Sequence, residues 1–301
     1  MTFLPACWLV PGDPGPFPAP FDRSYDDFNR FKAWFQTLTS VSDPKKIIDQ
    51  IVLTYNSIKG ENIDLFDFNC IESNPTNPIH KKIRYDVLKS IHKLRKEYDL
   101  SVVGTRDDEK IENVIGRILI YASINEIEYR RGFCDLIMPI MHVYYYGILG
   151  SYDIDFDLPL VEALVADSFV RFMTGPIVNH IRVFTETKYV NDLSARFMDL
   201  LKPYPIYSIM TNDGIEPKFF LNKWINLVFI QELDFPEVIK IWDHLFENCT
   251  PGYFHLKLIS LAAGATLAKE SKCKVLPSYQ HLETIQAIED LVAEEIIFRA
   301  L

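Results

Sequence analysis

The chain has 301 residues, 48% of them hydrophobic and 24% charged, a composition that supports a large packed core and excludes a disordered chain. Asp and Glu outnumber Lys and Arg by 41 to 31, so the formal net charge of −10 has the wrong sign for a general nucleic-acid binder. Five scattered cysteines (Cys7, Cys70, Cys134, Cys249, Cys273) lack metal-ligand spacing, and the seven histidines form no HExxH-type pair, so a reducing compartment without structural zinc is expected.

The apolar start, Met1 to Val10, has no basic region before it and stops at Pro11, which argues against a signal peptide. Residues 11–20 carry five prolines and read as an extended tail or linker, leaving 21–301 as the helical domain. Phe28, Phe31, Trp34, Phe35 and Leu38 then recur at helical spacing and predict an aromatic packing face. Ser42-Asp43-Pro44 predicts the next helix start, with Ile47, Ile48, Ile51, Val52 and Tyr55 continuing the apolar pattern.

Gly60 and the prolines Pro75 and Pro78 mark loops. From there helical periodicity recurs over roughly 80–97, 109–124, 133–147, 158–174, 192–201, 217–230, 236–247, 253–269 and 282–299. Pro139 predicts a kink in the third of these. Two strand-like stretches, 181–184 and 206–210, are too short and isolated to found a sheet, and no fixed-period repeat occurs. The expected class is all-α with irregular connections. The longest apolar stretch, Phe133 to Tyr146, is too short for a membrane span and contains Asp135 and His142, so no integral membrane segment is expected.

Phosphate-binding GxxxxGK[ST] loops, GxGxxG turns and GxSxG elbows are absent from the sequence, which removes nucleotide hydrolysis by this chain itself, dinucleotide chemistry and esterase-type catalysis. On one helix, Asp86 stands four residues after Lys82 and three before Lys89, spacing that predicts an exposed ion-pair cluster. Arg130 and Arg131 precede Gly132 in a loop between two apolar helices. They read either as solvated charges or, with Lys81, Lys82, Arg84 and Lys89, as a positive patch facing phosphate or an acidic partner. Trp224 and Trp242 read as core, and Asp243 as an anchor for a neighbouring backbone or basic group.

Four segments in order resemble the TBC domain of Rab GTPase-activating proteins. Ile83 to Lys89 looks like the IxxDxxR motif, with Lys89 at the final arginine. Asn125 to Phe133 is similar to NxxxYxQGM, with Tyr129 retained and Arg131 in place of glutamine. Leu164 to Met173 resembles the EDAFWxxxxLM segment, and Gly214 to Trp224 followed by Val238 to Phe246 resembles GIxPxxFxxxW and RIWDxLF. These motifs span roughly residues 80–270.

The resemblance implies an all-α TBC-like fold, a Rab-like small GTPase as partner, and no cofactor of the chain's own, with GTP and magnesium held by the partner. It places Lys89 and Arg131 at the two catalytic finger positions, Asp86 in support, and Arg84, Tyr129 and Arg130 at the partner surface. An arginine finger contributes roughly 10³–10⁵ in rate. Lys89 keeps the charge but not the planar donor fork, and Arg131 offers donors but no acceptor with which to orient an attacking water. The expectation is therefore a GTPase-binding regulator of membrane traffic with weak or absent two-finger activity, cytoplasmic and peripheral to endomembranes through its partner. Two alternatives stay open: an active GTPase-activating protein using the substituted basic residues, and a helical scaffold binding non-GTPase partners through the aromatic segment within residues 21–40.

Overall fold

The computed structural model describes residues 26–41, 43–67, 78–97, 111–149, 151, 154 and 157–300, with the side chains of 26 and 91–97 set aside. The Pro-rich tail, Ser42 and the apolar positions Ile91 and Leu94 lie outside what is described. Every regular element among the described residues is helical, as the apolar periodicity predicts.

The first helix, α1 (Asp26–Thr39), buries Phe31, Trp34, Phe35 and Leu38 completely or nearly so. The helices α2 (Lys45–Glu61) and α3 (Ile63–Phe66) follow, then α4 (Pro78–Glu97) and α5 (Ile111–Ile124). Two apolar helices, α6 (Phe133–Leu149) and α7 (Leu158–Thr174), form the centre. They are hydrophobic on all sides because neighbours cover them: α1 packs on both, α2 and α5 on α7, and α4 and α5 on α6. Gly147 lets α1 come close; a Cβ there would stand 2.4 Å from Phe31 Cβ.

The second half runs α8 (Arg182–Thr185), α9 (Thr187–Leu201), α10 (Pro205–Asn212), a 3-10 turn at Pro217–Phe219, α11 (Leu221–Leu227), α12 (Phe235–Phe246) and α13 (Phe254–Ala268). It ends with α14 (Glu270–Cys273), a second 3-10 turn (Ser278–Gln280), α15 (His281–Gln286) and α16 (Ala293–Arg299). Prolines begin several of these elements, at Pro159, Pro205, Pro217 and Pro236, where the missing N–H costs no helical bond.

The stretches 181–184 and 206–210, too short to found a sheet, are largely helical, within α8 and α10. Two expectations change here. The segment expected as one helix over 217–230 is a 3-10 turn, a short α11 and a left-handed turn, and the one expected over 282–299 is two helices.

Polar groups tie the layers together. Glu162 on α7 accepts from Arg117 on α5, with Nε at 2.9 Å, and from the Tyr55 hydroxyl on α2. Asp243 on α12 accepts from Arg30 Nε at 2.9 Å and from Trp34 Nε1 at 2.8 Å, both on α1. The anchoring role expected for Asp243 is thus observed, and the stack of Trp34 on Trp242, centroids 5.6 Å apart, lies beside it.

Candidate functional site

The site forms where α4 meets the loop between α5 and α6. On α4, Ile83 and Val87 are fully buried, which fixes the rotation of the helix and turns Lys81, Lys82, Tyr85, Leu88 and Lys89 to the surface. Asp86 and Arg84 sit at the boundary between the two faces. Helix α5 ends at Ile124, Glu126 adopts a left-handed conformation with φ 64°, and Ile127 N bonds back to Ala122 O at 3.1 Å. The chain then runs without regular structure to Gly132, whose φ of 97° suits glycine, and enters α6.

Asp86 does not make the local pairs that its spacing to Lys82 and Lys89 predicts. It accepts from the Tyr129 hydroxyl at 2.8 Å and faces Arg131 Nε at 3.6 Å. The reason lies in the phase of α4: the buried Ile83 and Val87 bring Asp86 to the edge that meets the 127–132 loop, while both lysines point outward. Tyr129 packs edge-on against Phe133, centroids 5.8 Å apart. Its burial, together with the adjacent Asp86 carboxylate, raises the hydroxyl pKa well beyond the ordinary phenol range, so it remains a donor.

Arg131 is 73% exposed, so its attraction to Asp86 is screened by water and worth a few tenths of a kcal/mol. Arg130 pairs with Glu128 within the loop, Nη2 to Oε2 2.7 Å. Lys89 is exposed and makes no ion pair with any described residue. The structure therefore brings Asp86, Tyr129 and Arg131 together, leaves Lys89 one turn further along the same helix, and matches Arg130 with an acid of its own loop.

Sequence reasoning missed Tyr85 and Leu88, which are 64% and 41% exposed beside the basic residues. Their signal was present, since both fall outside the apolar phase set by Ile83 and Val87. It also missed Glu128 as the partner of Arg130, Leu227 of α11, which meets Gly132 of the loop, and Gln231 of the turn after α11, which bonds Asp135 at the start of α6.

No group of three or more potential metal ligands occurs among the described residues. No helix among them is long and apolar enough to cross a membrane.

The arrangement can be set beside known proteins. The family model of the Rab-GTPase-TBC domain matches residues 29–271, which begins earlier than the motifs recognised by eye and takes in most of α1. The chain is 30% identical over 147 residues to TBC1 domain family member 13 of mouse and of human, covering 45% of this chain and 34% of each relative. It is 33% identical over 64 residues to TBC1 domain family member 5 homolog B of Dictyostelium discoideum. The chain thus spans about a third of the length of the mouse and human relatives. Among solved structures, the Ypt/Rab-GAP domain of Gyp1p superposes with a TM-score of 0.62 over 92% of this chain and 87% of that one, at 13% identity. With the family model matched across residues 29–271 and the fold shared over 92% of the chain, the chain belongs to the Rab-GTPase-TBC domain family.

Proposed function

We propose that this chain binds a Rab-like small GTPase through the surface of α4 and the 127–132 loop, and that its stimulation of GTP hydrolysis by two fingers is weak or absent. GTP and magnesium would be held by the partner, and membrane traffic is the process such binding would regulate. The observation that supports the reading is at Arg131, which the resemblance puts at the second finger position: it faces Asp86 at 3.6 Å and supplies no acceptor for a water. Lys89 presents a flexible ammonium where a planar fork would grip two phosphate oxygens.

The reading of the aromatic segment as a partner surface loses its basis, because Phe31, Trp34 and Phe35 are interior. An active protein using the substituted basic residues remains the competing reading. Single-turnover GTP hydrolysis across a panel of Rab proteins separates the two, the proposal expecting binding with little acceleration.

A second experiment probes whether only the side chains have departed from catalysis. In a GTPase that binds, Lys89→Arg together with Arg131→Gln should accelerate hydrolysis at least about tenfold over wild type, about 1.4 kcal/mol of barrier. Each single change should help little while its partner is missing. A strongly active wild type that the double variant slows would overturn the proposal.

A further inference from the structure

Directly after α11 the backbone turns left-handed at two consecutive residues, Val228 (φ 48°) and Phe229 (φ 65°). Neither is glycine and one is β-branched, so the turn carries strain of order 1 kcal/mol or more per residue. Such a conformation persists only where its surroundings overdetermine it.

They do so here. Both side chains are fully buried. Val228 O accepts from Trp242 Nε1 at 3.1 Å, and Phe229 N donates to Trp224 O at 3.2 Å. Asn226 O accepts from His180 Nε2 at 3.0 Å, and Lys223 pairs with Glu232 at 2.5 Å across the base of the turn.

Residues on either side of the strained pair reach the end of the 127–132 loop, in the case of Leu227, and the start of α6, in the case of Gln231. A Cβ on Gly132 would stand 2.6 Å from Leu227 Cδ2, so the leucine side chain occupies the space that the glycine leaves. Gln231 Nε2 donates to Asp135 Oδ2 at 2.7 Å, in the first turn of α6. One contact meets the residue adjacent to Arg131, and the other holds the helix into which the loop runs.

We propose that the turn 226–231 is a clamp that positions the loop bearing Arg131, with Leu227 and Gln231 as its positioning residues and the Tyr129–Asp86 bond as the opposite anchor. Its bearing on the partner rests on the reading of that loop as the GTPase-facing element; its mechanical part does not. The clamp places the finger loop from behind, while the exposed face of the loop stays available.

The direct test is residue-resolved hydrogen exchange in the full chain. In the loop, Ile127 N is bonded to Ala122 O and Phe133 N to Arg130 O, so both amides report on its closure. Leu227→Ala should speed their exchange about tenfold relative to amides of α12 and α13, and Leu227→Met should restore most of the protection. Gly132→Ala should disturb the loop less in the Leu227→Ala background than in wild type, because the atom it strikes is gone. Should Leu227→Ala fail to fold, Gln231→Ala reads the same amides through the other contact.

Unchanged loop exchange, or a rise shared equally by the whole molecule, overturns the clamp. With a bound GTPase and the Lys89→Arg, Arg131→Gln background, Leu227→Ala should lower kcat and leave KM unchanged. If the loop responds as expected but no small GTPase binds in any nucleotide state, the clamp stands and the functional reading falls. If a GTPase binds and loop exchange is unmoved, the reverse holds.

Discussion

Replacing Asp243 with alanine removes the acceptor that joins the family's tryptophan-aspartate motif on α12 to the N-terminal helix. Its carboxylate takes Arg30 Nε at 3.1 and 2.9 Å through its two oxygens, and Trp34 Nε1 at 2.8 Å. Trp34 is 1% exposed, and its N–H loses its carboxylate partner at a spot that the partly exposed Asp243 side chain had shielded, which costs about 1–3 kcal/mol. Arg30 is about a quarter exposed and retains Asp27 at 3.2 Å, so its loss is smaller, about 0.5–1 kcal/mol. The expected destabilisation is about 2–4 kcal/mol, measured by urea unfolding with a lowered midpoint and unchanged slope. Asp243→Asn keeps an oxygen for Trp34 and gives up the charge toward Arg30, so it should cost about 1 kcal/mol. Equal losses in the two variants, or less than about 1 kcal/mol for alanine, would refute the assignment of Trp34 as the dominant partner.

Gly147→Ala should destabilise by about 1–2 kcal/mol, since the new Cβ would lie 2.4 Å from Phe31 Cβ and 2.9 Å from Asp27 O, outweighing the helix propensity gained; Gly60→Ala on α2, with nothing within 4 Å, should be neutral or stabilising by up to about 1 kcal/mol. Stability should also fall as pH drops from about 6.5 toward 4. Burial holds His180 down at about 4 and His255 well below its ordinary value, so the unfolded chain takes up protons over that window that the native chain refuses. Above 6.5 both states leave these rings neutral and the effect vanishes; His180 alone accounts for about 3 kcal/mol by pH 4, and urea midpoints that are flat between pH 7 and 5 would contradict it. At the proposed partner surface, Lys89→Glu should weaken GTPase binding in a salt-dependent way and more than Arg130→Glu, whose charge Glu128 already matches; titrations at two ionic strengths compare them.

The acid sensitivity has a structural cause that periodicity does not reveal. His180 Nε2 meets the Asn226 carbonyl at 3.0 Å, so it must carry the proton, and Nδ1 is then the acceptor for His255 Nε2 at 3.1 Å. His255 Nδ1 in turn accepts from the Tyr189 hydroxyl at 3.0 Å. Protonating either ring places a charge in this buried chain and reverses its donor and acceptor roles. In the sequence these residues are two isolated histidines and a tyrosine, with no spacing that joins them.

Much of the architecture was legible because most helices carry their own phase. The positions of Phe31, Trp34 and Phe35 announce α1, and Ile83 with Val87 announces the buried face of α4. The misread segments are those where distant contacts decide. Ile206 to Met210 carries a strand-like pattern too short for a sheet and no helical period of its own, and Pro205 starts a helix there, with Ile206 and Met210 buried on one face. The stretch 282–299 contains no glycine or proline to mark its break. That break is held by buried Ile288 and by Asp290, which Lys269 and Lys272 grip from around α14. Likewise nothing at Val228 or Phe229 signals a left-handed turn, because residues favoured there are glycine and asparagine.

The same distinction explains the site. The residue types at 89 and 131 were readable, and so was the absence of an acceptor on Arg131, because these are properties of single side chains. The partners of Asp86 were not, because helical spacing ranks Lys82 and Lys89 ahead of any residue beyond the helix. What overrules that ranking is the burial of Ile83 and Val87, which turns the lysines outward and presents Asp86 to Tyr129 and Arg131. On the proposed reading of 89 and 131 as the finger positions, Lys89 directed to solvent and Arg131 beside Asp86 are separated by side-chain orientation as well as by chemistry. Restoring one finger alone therefore leaves the other half of the geometry unrepaired, which is the physical ground for expecting the two reversions to act more than additively.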